Sequence, residues 1–219
     1  MLELDRDGSV WVLRMRGGEN RFNLEWLDGV NAALDRVEAS DGPRALVTTG
    51  DGKFYSNGMD LDWLATVPHE AGGYLRAIYA LLGRVLSFPA ITVAAVNGHA
   101  FGAGALLATA HDFAVMREDR GYWCMPEADL GLPLTAEYLS VLTARLPAAT
   151  VHEAVLTGRR YGGPDALAAG IVRRTASEPE VLPQAVELAA ALAAKDPRAI
   201  AEHKRLLYGS LPVHGHAGS

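Results

Sequence analysis

The stretch VAAVNGHAFGAGAL, residues 93–106, decides the fold, because an apolar strand passes through a turn of small residues directly into a helix. Glycine and alanine remove the side chains that would keep a ligand away from the main chain. The first N–H groups of the helix have no partner within it, and the helix dipole adds to their attraction for an oxygen atom. The turn therefore predicts a site for a phosphate or a developing oxyanion, and by itself it also fits a tight structural connection.

A second turn of small and polar residues lies upstream, after a predicted strand at 45–49. It reads KFYSNGMDL over residues 53–61. Because Gly58 has no side chain, the next residue, Met59, can also present its backbone N–H to a ligand. Two turns of this kind favour a functional site more than either turn alone.

The third informative segment, WCMPEADLGL over residues 123–132, carries Glu127 after a proline and inside an apolar run. Apolar surroundings raise the pKa of a carboxyl group toward the range of a useful base. Two further acids lie close in sequence to these segments. We expect Asp60 to cap a loop or helix. Asp129 is either solvated or paired with an arginine, or it raises the pKa of Glu127 from the same face of the segment.

In this order along the chain, the three segments resemble those of the crotonase superfamily, the enoyl-CoA hydratases and isomerases. The resemblance covers nearly the whole chain and implies an α/β fold, a spiral of ββα units followed by a helical C-terminal tail. It also implies that the N–H groups of Met59 and Ala103 bind the thioester oxygen of an acyl-CoA and that Glu127 is the catalytic base. The neighbouring turn residues then contribute to substrate binding: Ser56, Asn57, Gly58 and Gly102.

One departure from the family pattern indicates the reaction. Hydratases carry a second glutamate on the helix after the second turn, and the matching residue here is Leu106, which cannot transfer protons. Hydration needs two carboxylates facing one water, whereas moving a double bond from C3 to C2 needs one base and an oxyanion site. The strings SNGMDL (56–61) and MPEADLGL (125–132) are most similar to Δ3,Δ2-enoyl-CoA isomerases. The resemblance therefore implies an isomerase in which Glu127 shuttles the proton.

Two alternatives would use the same turns. Another crotonase reaction, such as hydration, thioester hydrolysis or decarboxylation, would keep the oxyanion site and route water or protons differently. A non-catalytic acyl-CoA-binding protein would keep both turns while Glu127 served structure alone. Product identification separates the first alternative, and binding without turnover would identify the second.

Other side chains are candidates for contacts with the substrate. The candidates for the acyl pocket are apolar: Trp63, Leu106 and Leu132. The candidates for the CoA phosphates are basic, and surface solubility is their other role: Lys53, Lys204 and Arg205. We expect His99, in the second turn, to hydrogen-bond nearby backbone or to contact the acyl-CoA. CoA enters as part of the substrate, so no permanently bound cofactor is expected.

Composition excludes several other function classes. The chain has 219 residues, a formal net charge of −6 and one cysteine, Cys124. It has no basic run suited to nucleic acid, and a single cysteine forms neither an internal disulfide nor a metal cluster. No apolar stretch approaches the ~18 residues of a membrane span. Neither a signal peptide nor a peroxisomal Ser-Lys-Leu ending is evident, so we expect a cytoplasmic enzyme without a nucleic-acid or membrane partner.

Hydrophobic periodicity predicts alternating strands and helices, followed by a mainly helical tail. The predicted strands are 10–15, 45–49, 91–96 and 113–117, and the predicted helices between them are 24–38 and 73–87. The tail is predicted to contain helices at 136–146, 148–156, 180–194 and 197–208, with a loop at 175–183. We expect a single domain over 1–219, with a spiral core (1–134) and a helical tail (135–219). The resemblance implies a homotrimer or a dimer of trimers.

Overall fold

Two β-sheets organise residues 1–214, the part of the chain that the computed structural model describes. The strands are β1 (Leu2–Asp7), β2 (Val10–Met15), β3 (Ala45–Gly50), β4 (Phe54–Ser56), β5 (Ile91–Val96), β6 (His99–Phe101), β7 (Phe113–Arg117), β8 (Trp123–Cys124) and β9 (Arg174–Ala176). The helices are α1 (Leu24–Glu38), α2 (Leu61–Thr66), α3 (Ala71–Leu86), α4 (Ala103–Ala110), α5 (Ala136–Arg145), α6 (Ala148–Thr157), α7 (Gly163–Ala168), α8 (Val181–Leu192) and α9 (Pro197–Tyr208). Short 3-10 turns occur at Pro68–Glu70, Glu178–Glu180 and Pro212–His214.

Successive strands alternate between the two sheets. The large sheet has the order β1-β2-β3-β5-β7-β9, in which β1 is antiparallel and the other strands are parallel. The small sheet has the order β4-β6-β8 and is parallel. Each pair β3–β4, β5–β6 and β7–β8 places one strand in each sheet and is followed by a helix. This repeated ββα unit winds the chain into a spiral.

Both faces of the large sheet are covered. On one face α8 packs against β2, β3, β5 and β7, where the small side chains of Ala185 and Ala189 are fully buried. On the other face α1, α3, α4 and α5 form the larger core. All six residues of β3 and all six of β5 are buried for this reason, as expected for parallel strands between two helical layers. The carboxyl ends of these strands lead into the two turns singled out in the sequence.

The structure confirms several predicted elements and corrects others. The predicted bounds of α1, β2, β5, β7 and α9 are the observed ones. The predicted loop at 175–183 is wrong, because it contains the end of β9, the 3-10 turn Glu178–Glu180 and the start of α8. β9 is ordered by pairing with β7, with Val115 beside Arg174, a contact that local sequence does not reveal.

Residues 215–219, which include the chain ending considered above, lie outside the described part. Within residues 1–214, no helix has the length and apolar character needed to cross a bilayer. The same residues contain no group of three or more His, Cys, Asp and Glu side chains arranged to hold a metal ion.

Candidate active site

The two turns pack directly against each other. Gly58, in the first turn, has a φ of +79°, a backbone conformation that side chains rarely adopt. A Cβ at this position would lie 2.6 Å from the carbonyl oxygen of Phe101 and 3.1 Å from the amide nitrogen of Ala103. Glycine is therefore required here by both the backbone conformation and the contact, and it brings the first turn beside the start of α4.

Phe22 holds the first turn from the other side, as a parallel bridge to Met59. The amide of Phe22 donates to the carbonyl of Gly58 at 2.8 Å, and the amide of Asp60 donates to the carbonyl of Phe22 at 2.9 Å. This pairing uses the Gly58 carbonyl and the Asp60 amide, which lie on either side of the Met59 amide. The N–H of Met59 itself has no hydrogen-bond partner among residues 1–214.

The amides of Asn57, Gly58 and Asp60, on either side of Met59, are all used within the protein. The Gly58 amide donates to Oγ of Ser56 at 3.1 Å, and this buried hydroxyl donates to the carbonyl of Asn20 at 2.7 Å. The amide of Asn57 donates to the carbonyl of Glu19 at 2.8 Å. Ser56, predicted to contact substrate, is thus committed to holding the turn. Of the four consecutive N–H groups in this turn, the described structure leaves one free.

The second turn presents its own N–H at the start of α4. Gly102 precedes the helix with a φ of +52°, and its amide donates to the carbonyl of Cys124 at 3.0 Å. Ala103 is the first residue of α4, so its N–H cannot bond within the helix. The amides of Met59 and Ala103 are therefore both available to a ligand, and their role toward a thioester oxygen stays a prediction.

A cavity of roughly 370 Å³ opens at these two amides. Its wall includes Met59 and Ala103 together with Glu127. Apolar side chains complete much of the lining: Leu61, Phe101, Pro126, Leu130 and Leu132. Leu130 and Leu132 remain 58% and 47% exposed, which places them where the cavity meets solvent. A ligand with an apolar chain would be partly covered in this cavity.

Glu127 is the half-buried carboxylate of the cavity. Its Oε2 is buried and has no hydrogen-bond partner in the described residues, and a Cβ at Gly102 would lie 3.3 Å from its Oε1. Burial raises the pKa of Glu127 above its ordinary value. Asp129 is directed elsewhere, against Gly158, where a Cβ would lie 2.6 Å from its Oδ2. A carboxylate with one buried oxygen free of partners and a raised pKa is suited to taking up and returning a proton.

Two of the predicted acyl-pocket residues do not form the wall of this cavity. Leu106 is completely buried in α4, within the main core. Trp63 instead packs edge-on against Tyr74, with ring centroids 5.2 Å apart. The predicted capping role of Asp60 is confirmed, because its Oδ1 accepts from the Trp63 amide at 3.1 Å at the start of α2.

The expectation that Lys204 faces the CoA phosphates from the surface is wrong. Its side chain is only 6% exposed, and its Nζ lies 2.7 Å from Oδ2 of Asp112 and 2.8 Å from the carbonyl oxygen of Ala90. A buried and paired ammonium joins α9 to the large sheet and is not presented to an incoming ligand. The sequence placed it correctly on the last helix but did not reveal which side of that helix is buried.

The other two basic candidates lie at the surface. Arg205 is exposed and paired with Glu202 through Nη2 at 2.6 Å. Lys53 is exposed, with its Nζ 5.2 Å from the ring centroid of Phe54. Their role toward CoA phosphates stays a prediction.

Sequence reasoning missed a cation that does line the cavity, Arg21. Its Nη1 donates to Asp62 at 2.6 Å, and its Nε bonds Glu19. The hydrogen bonds to Asp62 and Glu19 raise the pKa of Arg21. The spacing of Arg21 from both turns in the sequence gave no signal, since pairing of the segment 19–22 with the first turn brings it to the site.

His99 does not make the expected bond to nearby backbone. Its Nδ1 is buried without a partner in the described residues, and its ring packs among Phe54, Phe101 and Tyr122. Burial lowers the pKa of His99, and three nearby cations act in the same direction. We assign it a packing role on the small sheet.

The two-sheet spiral of ββα units places the chain among the crotonase-fold proteins. The chain belongs to the enoyl-CoA hydratase/isomerase family, whose sequence model matches residues 5–211.

Individual relatives agree with this assignment. Enoyl-CoA delta isomerase 3 of Arabidopsis thaliana is 34% identical over 204 residues, which cover 89% of this chain and 86% of that protein. Carnitinyl-CoA dehydratase of Salmonella paratyphi A is 38% identical over 162 residues, 74% of this chain and 62% of that protein. The apo structure of the enoyl-CoA isomerase of Mycobacterium tuberculosis matches with a TM-score of 0.88 and 30% identity, covering 95% of this chain and 91% of that one. The predicted crotonase fold is confirmed.

Proposed function

We propose that this protein is a Δ3,Δ2-enoyl-CoA isomerase, which moves the double bond of an unsaturated acyl-CoA from C3 to C2. The observation that carries the proposal is the cavity in which Glu127, whose buried Oε2 has no partner in the described residues, accompanies the free amides of Met59 and Ala103. The names of the Arabidopsis relatives, enoyl-CoA delta isomerases 2 and 3, add support.

In the proposed reaction, the carboxylate of Glu127 removes a proton from C2 of the 3-enoyl thioester. The electrons of that C–H bond form a C1–C2 double bond, and negative charge moves onto the thioester oxygen, giving a dienolate. The amides of Met59 and Ala103 donate to this oxygen, and each donor of this type contributes about 10²–10³ in rate in acyl-transfer enzymes. Protonated Glu127 then returns the proton to C4, the C2–C3 double bond forms, and the thioester carbonyl is restored.

Two further observations, one in the core and one in the cavity wall, support single-base chemistry. Leu106 stands where a hydratase has its second glutamate, and it is buried in the core. The other carboxylate in the wall, Asp62, is held by Arg21 at 2.6 Å. Asp62 is 87% exposed, so Glu127 is the half-buried carboxylate beside the two amides, whereas hydration would need two carboxylates facing one water.

The test is to mix the protein with 3-hexenoyl-CoA, follow the ultraviolet absorbance of the conjugated 2-enoyl thioester, and identify the product by mass spectrometry. Conjugation without a change in mass is the expected result. The second candidate is hydration or dehydration, favoured by the similarity to carnitinyl-CoA dehydratase. A gain of one water by 2-hexenoyl-CoA, with no isomerisation, would support that candidate and contradict ours. Binding without turnover of either compound would indicate an acyl-CoA-binding protein.

We further propose that the protein assembles as a homotrimer or a dimer of trimers. The support is a set of exposed leucines on three of the later helices, α5, α6 and α9: Leu139, Leu156, Leu206 and Leu207. Light scattering after size exclusion should give three or six times the chain mass of 23.3 kDa. A monomer would contradict this part of the proposal. The cytoplasmic location stays a prediction, because an Arabidopsis relative is named as peroxisomal.

A further inference from the structure

Tyr74 makes two hydrogen bonds beside the first turn, although it lies outside the cavity wall. It belongs to α3 and is completely buried. Its hydroxyl donates to the carbonyl of Phe22 at 2.6 Å and accepts from the amide of Asp60 at 3.0 Å. One phenol oxygen thus contacts both chain segments of the bridge that holds Met59.

These two contacts lie beside the Gly58–Met59 peptide unit, which carries the Met59 N–H. Phe22 binds Gly58 on one side of Met59 and Asp60 on the other, and only the second of these bonds is also contacted by the Tyr74 hydroxyl. The Met59 N–H lies in the same planar peptide unit as the Gly58 carbonyl, so its direction depends on the Phe22 amide that bonds this carbonyl. Tyr74 holds the Phe22 carbonyl and the Asp60 amide, and movement of either segment would therefore change the direction of the Met59 N–H. Alignment of a donor with a developing charge is sensitive to such movements.

The hydroxyl is not needed to satisfy its partners. Without it, the Asp60 amide still donates to the Phe22 carbonyl at 2.9 Å, so neither group would be left without a hydrogen bond. The ring also keeps its edge-on contact with Trp63. Removing the oxygen alone should therefore leave the fold intact and change chiefly the precision of the turn.

We propose that Tyr74 is a positioning residue that aims the Met59 N–H at the thioester oxygen of the acyl-CoA. The inference rests on the proposed function, since it assumes that this amide stabilises a dienolate. Tyr74 acts through the backbone of Phe22 and Asp60 and does not contact the reacting atoms.

The experiment compares Tyr74→Phe with Tyr79→Phe, which removes the same atom from the same helix. The Tyr79 hydroxyl donates to Oγ1 of Thr135 at 3.1 Å, away from the turn. For each variant we would measure kcat and KM for 3-hexenoyl-CoA. We would also record the red shift of the absorption of 2,4-hexadienoyl-CoA on binding, which reports polarisation of its carbonyl without turnover. Melting curves ensure that the variants are compared while folded.

We expect Tyr74→Phe to lower kcat roughly tenfold, less than the 10²–10³ lost with a whole donor, and to change KM less than twofold. Its binding red shift should be smaller than that of the wild type, while Tyr79→Phe should match the wild type in all three measurements. Equal losses in the two variants, or a wild-type red shift in Tyr74→Phe, would overturn the proposal. If the wild-type protein isomerises nothing but still shifts the dienoyl spectrum, the proposed function fails while the spectra still decide the role of Tyr74.

Discussion

Gly58 lies so close to Ala103 that a Cβ on Gly58 would stand 3.1 Å from the Ala103 amide nitrogen. A methyl group on Gly58 would therefore fill the space next to the Ala103 amide, one of the two free amides. Gly58 also precedes Met59, whose amide is the other. A single missing side chain thus keeps both amides accessible to the same ligand atom.

We predict that Gly58→Ala lowers kcat/KM by about 10² or more, because relief of the 2.6 Å approach to the Phe101 carbonyl must displace the turn. The strained φ should also lower the free energy of unfolding by about 1–3 kcal/mol. Gly52→Ala is the matched control, since Gly52 has a φ of +70° with no atom within 4 Å of its would-be Cβ. The control should lose stability and keep its activity. Full activity in Gly58→Ala would contradict the proposed site.

We predict that Glu127→Gln lowers kcat by about 10²–10⁴ while acyl-CoA binding persists, because the amide keeps the shape and removes the base. Asp129→Asn neutralises an acid two residues away that lies against Gly158, and it should leave kcat unchanged. Stopped-flow absorbance with 3-hexenoyl-CoA, together with calorimetric binding, measures both effects. Undiminished turnover in Glu127→Gln would show that another group moves the proton.

The raised pKa of Glu127 also predicts a pH dependence of stability. Because burial disfavours its charged form, the folded state carries a cost above the raised pKa. This cost is absent below about pH 4.5, the ordinary value, where the group is protonated in both states. Glu127→Gln should therefore be more stable than the wild type at pH 7 to 8, and the difference should vanish on acidification. Denaturant titrations across this range test it, and a Gln variant less stable at every pH would contradict the burial argument.

His111 predicts acid sensitivity of the fold. Its Nδ1 lies 2.7 Å from the carbonyl oxygen of Leu107, which can only accept, so Nδ1 carries the hydrogen and Nε2 accepts from the Thr48 hydroxyl at 3.0 Å. Burial lowers its pKa to about 4, whereas an unfolded histidine titrates near 6.5. Stability should accordingly be complete above pH ~6.5 and fall by on the order of 2–3 kcal/mol as the pH drops to about 4.

The variant His111→Gln tests this assignment, since it cannot titrate. Its unfolding free energy should be lower than that of the wild type at pH 7 and should depend less on pH between about 6.5 and 4. His152→Gln, at an exposed histidine, should keep the wild-type slope. An unchanged slope in His111→Gln would place the acid sensitivity elsewhere.

We predict that Lys204→Met destabilises the fold without weakening the binding of acyl-CoA. It leaves Asp112 without its buried cation, a loss that typically costs about 3–5 kcal/mol, although Asp112 keeps its bond from the Thr92 amide. KM for the acyl-CoA should stay within twofold of the wild type. Lys195→Met, at an exposed lysine, is the control for charge removal alone. A large rise in KM for Lys204→Met would contradict this and indicate that Lys204 contributes to binding CoA.

Local sequence patterns were sufficient to predict the helices and strands whose ends are marked by capping, proline or turn residues. Helix α1 has apolar residues at helical spacing after a capping residue, Asn23, whose side chain accepts from the amide of Trp26. Strand β5 is an apolar run between a proline and a polar turn, and all of it is buried. The two turns and Glu127 were equally visible, because small residues and an acid in apolar surroundings stand out in the chain.

What the sequence did not reveal depends on contacts between distant segments. β9 is a strand only because β7 lies beside it, and Lys204 is buried only because Asp112, 92 positions away, faces it. The hydroxyl of Tyr74 likewise bonds backbone groups 52 and 14 positions away. Partners at these separations follow from the winding of the spiral and not from any local periodicity.

The amide that the first turn leaves free belongs to the main chain, and so does the one at the start of α4. Any residue except proline at positions 59 and 103 would supply the same N–H. Point mutation can therefore alter the size of Met59 or Ala103 without deleting either donor. Substitutions can therefore change the reaction mainly at Glu127 and at the side chains that line the cavity, because the two backbone donors remain in place.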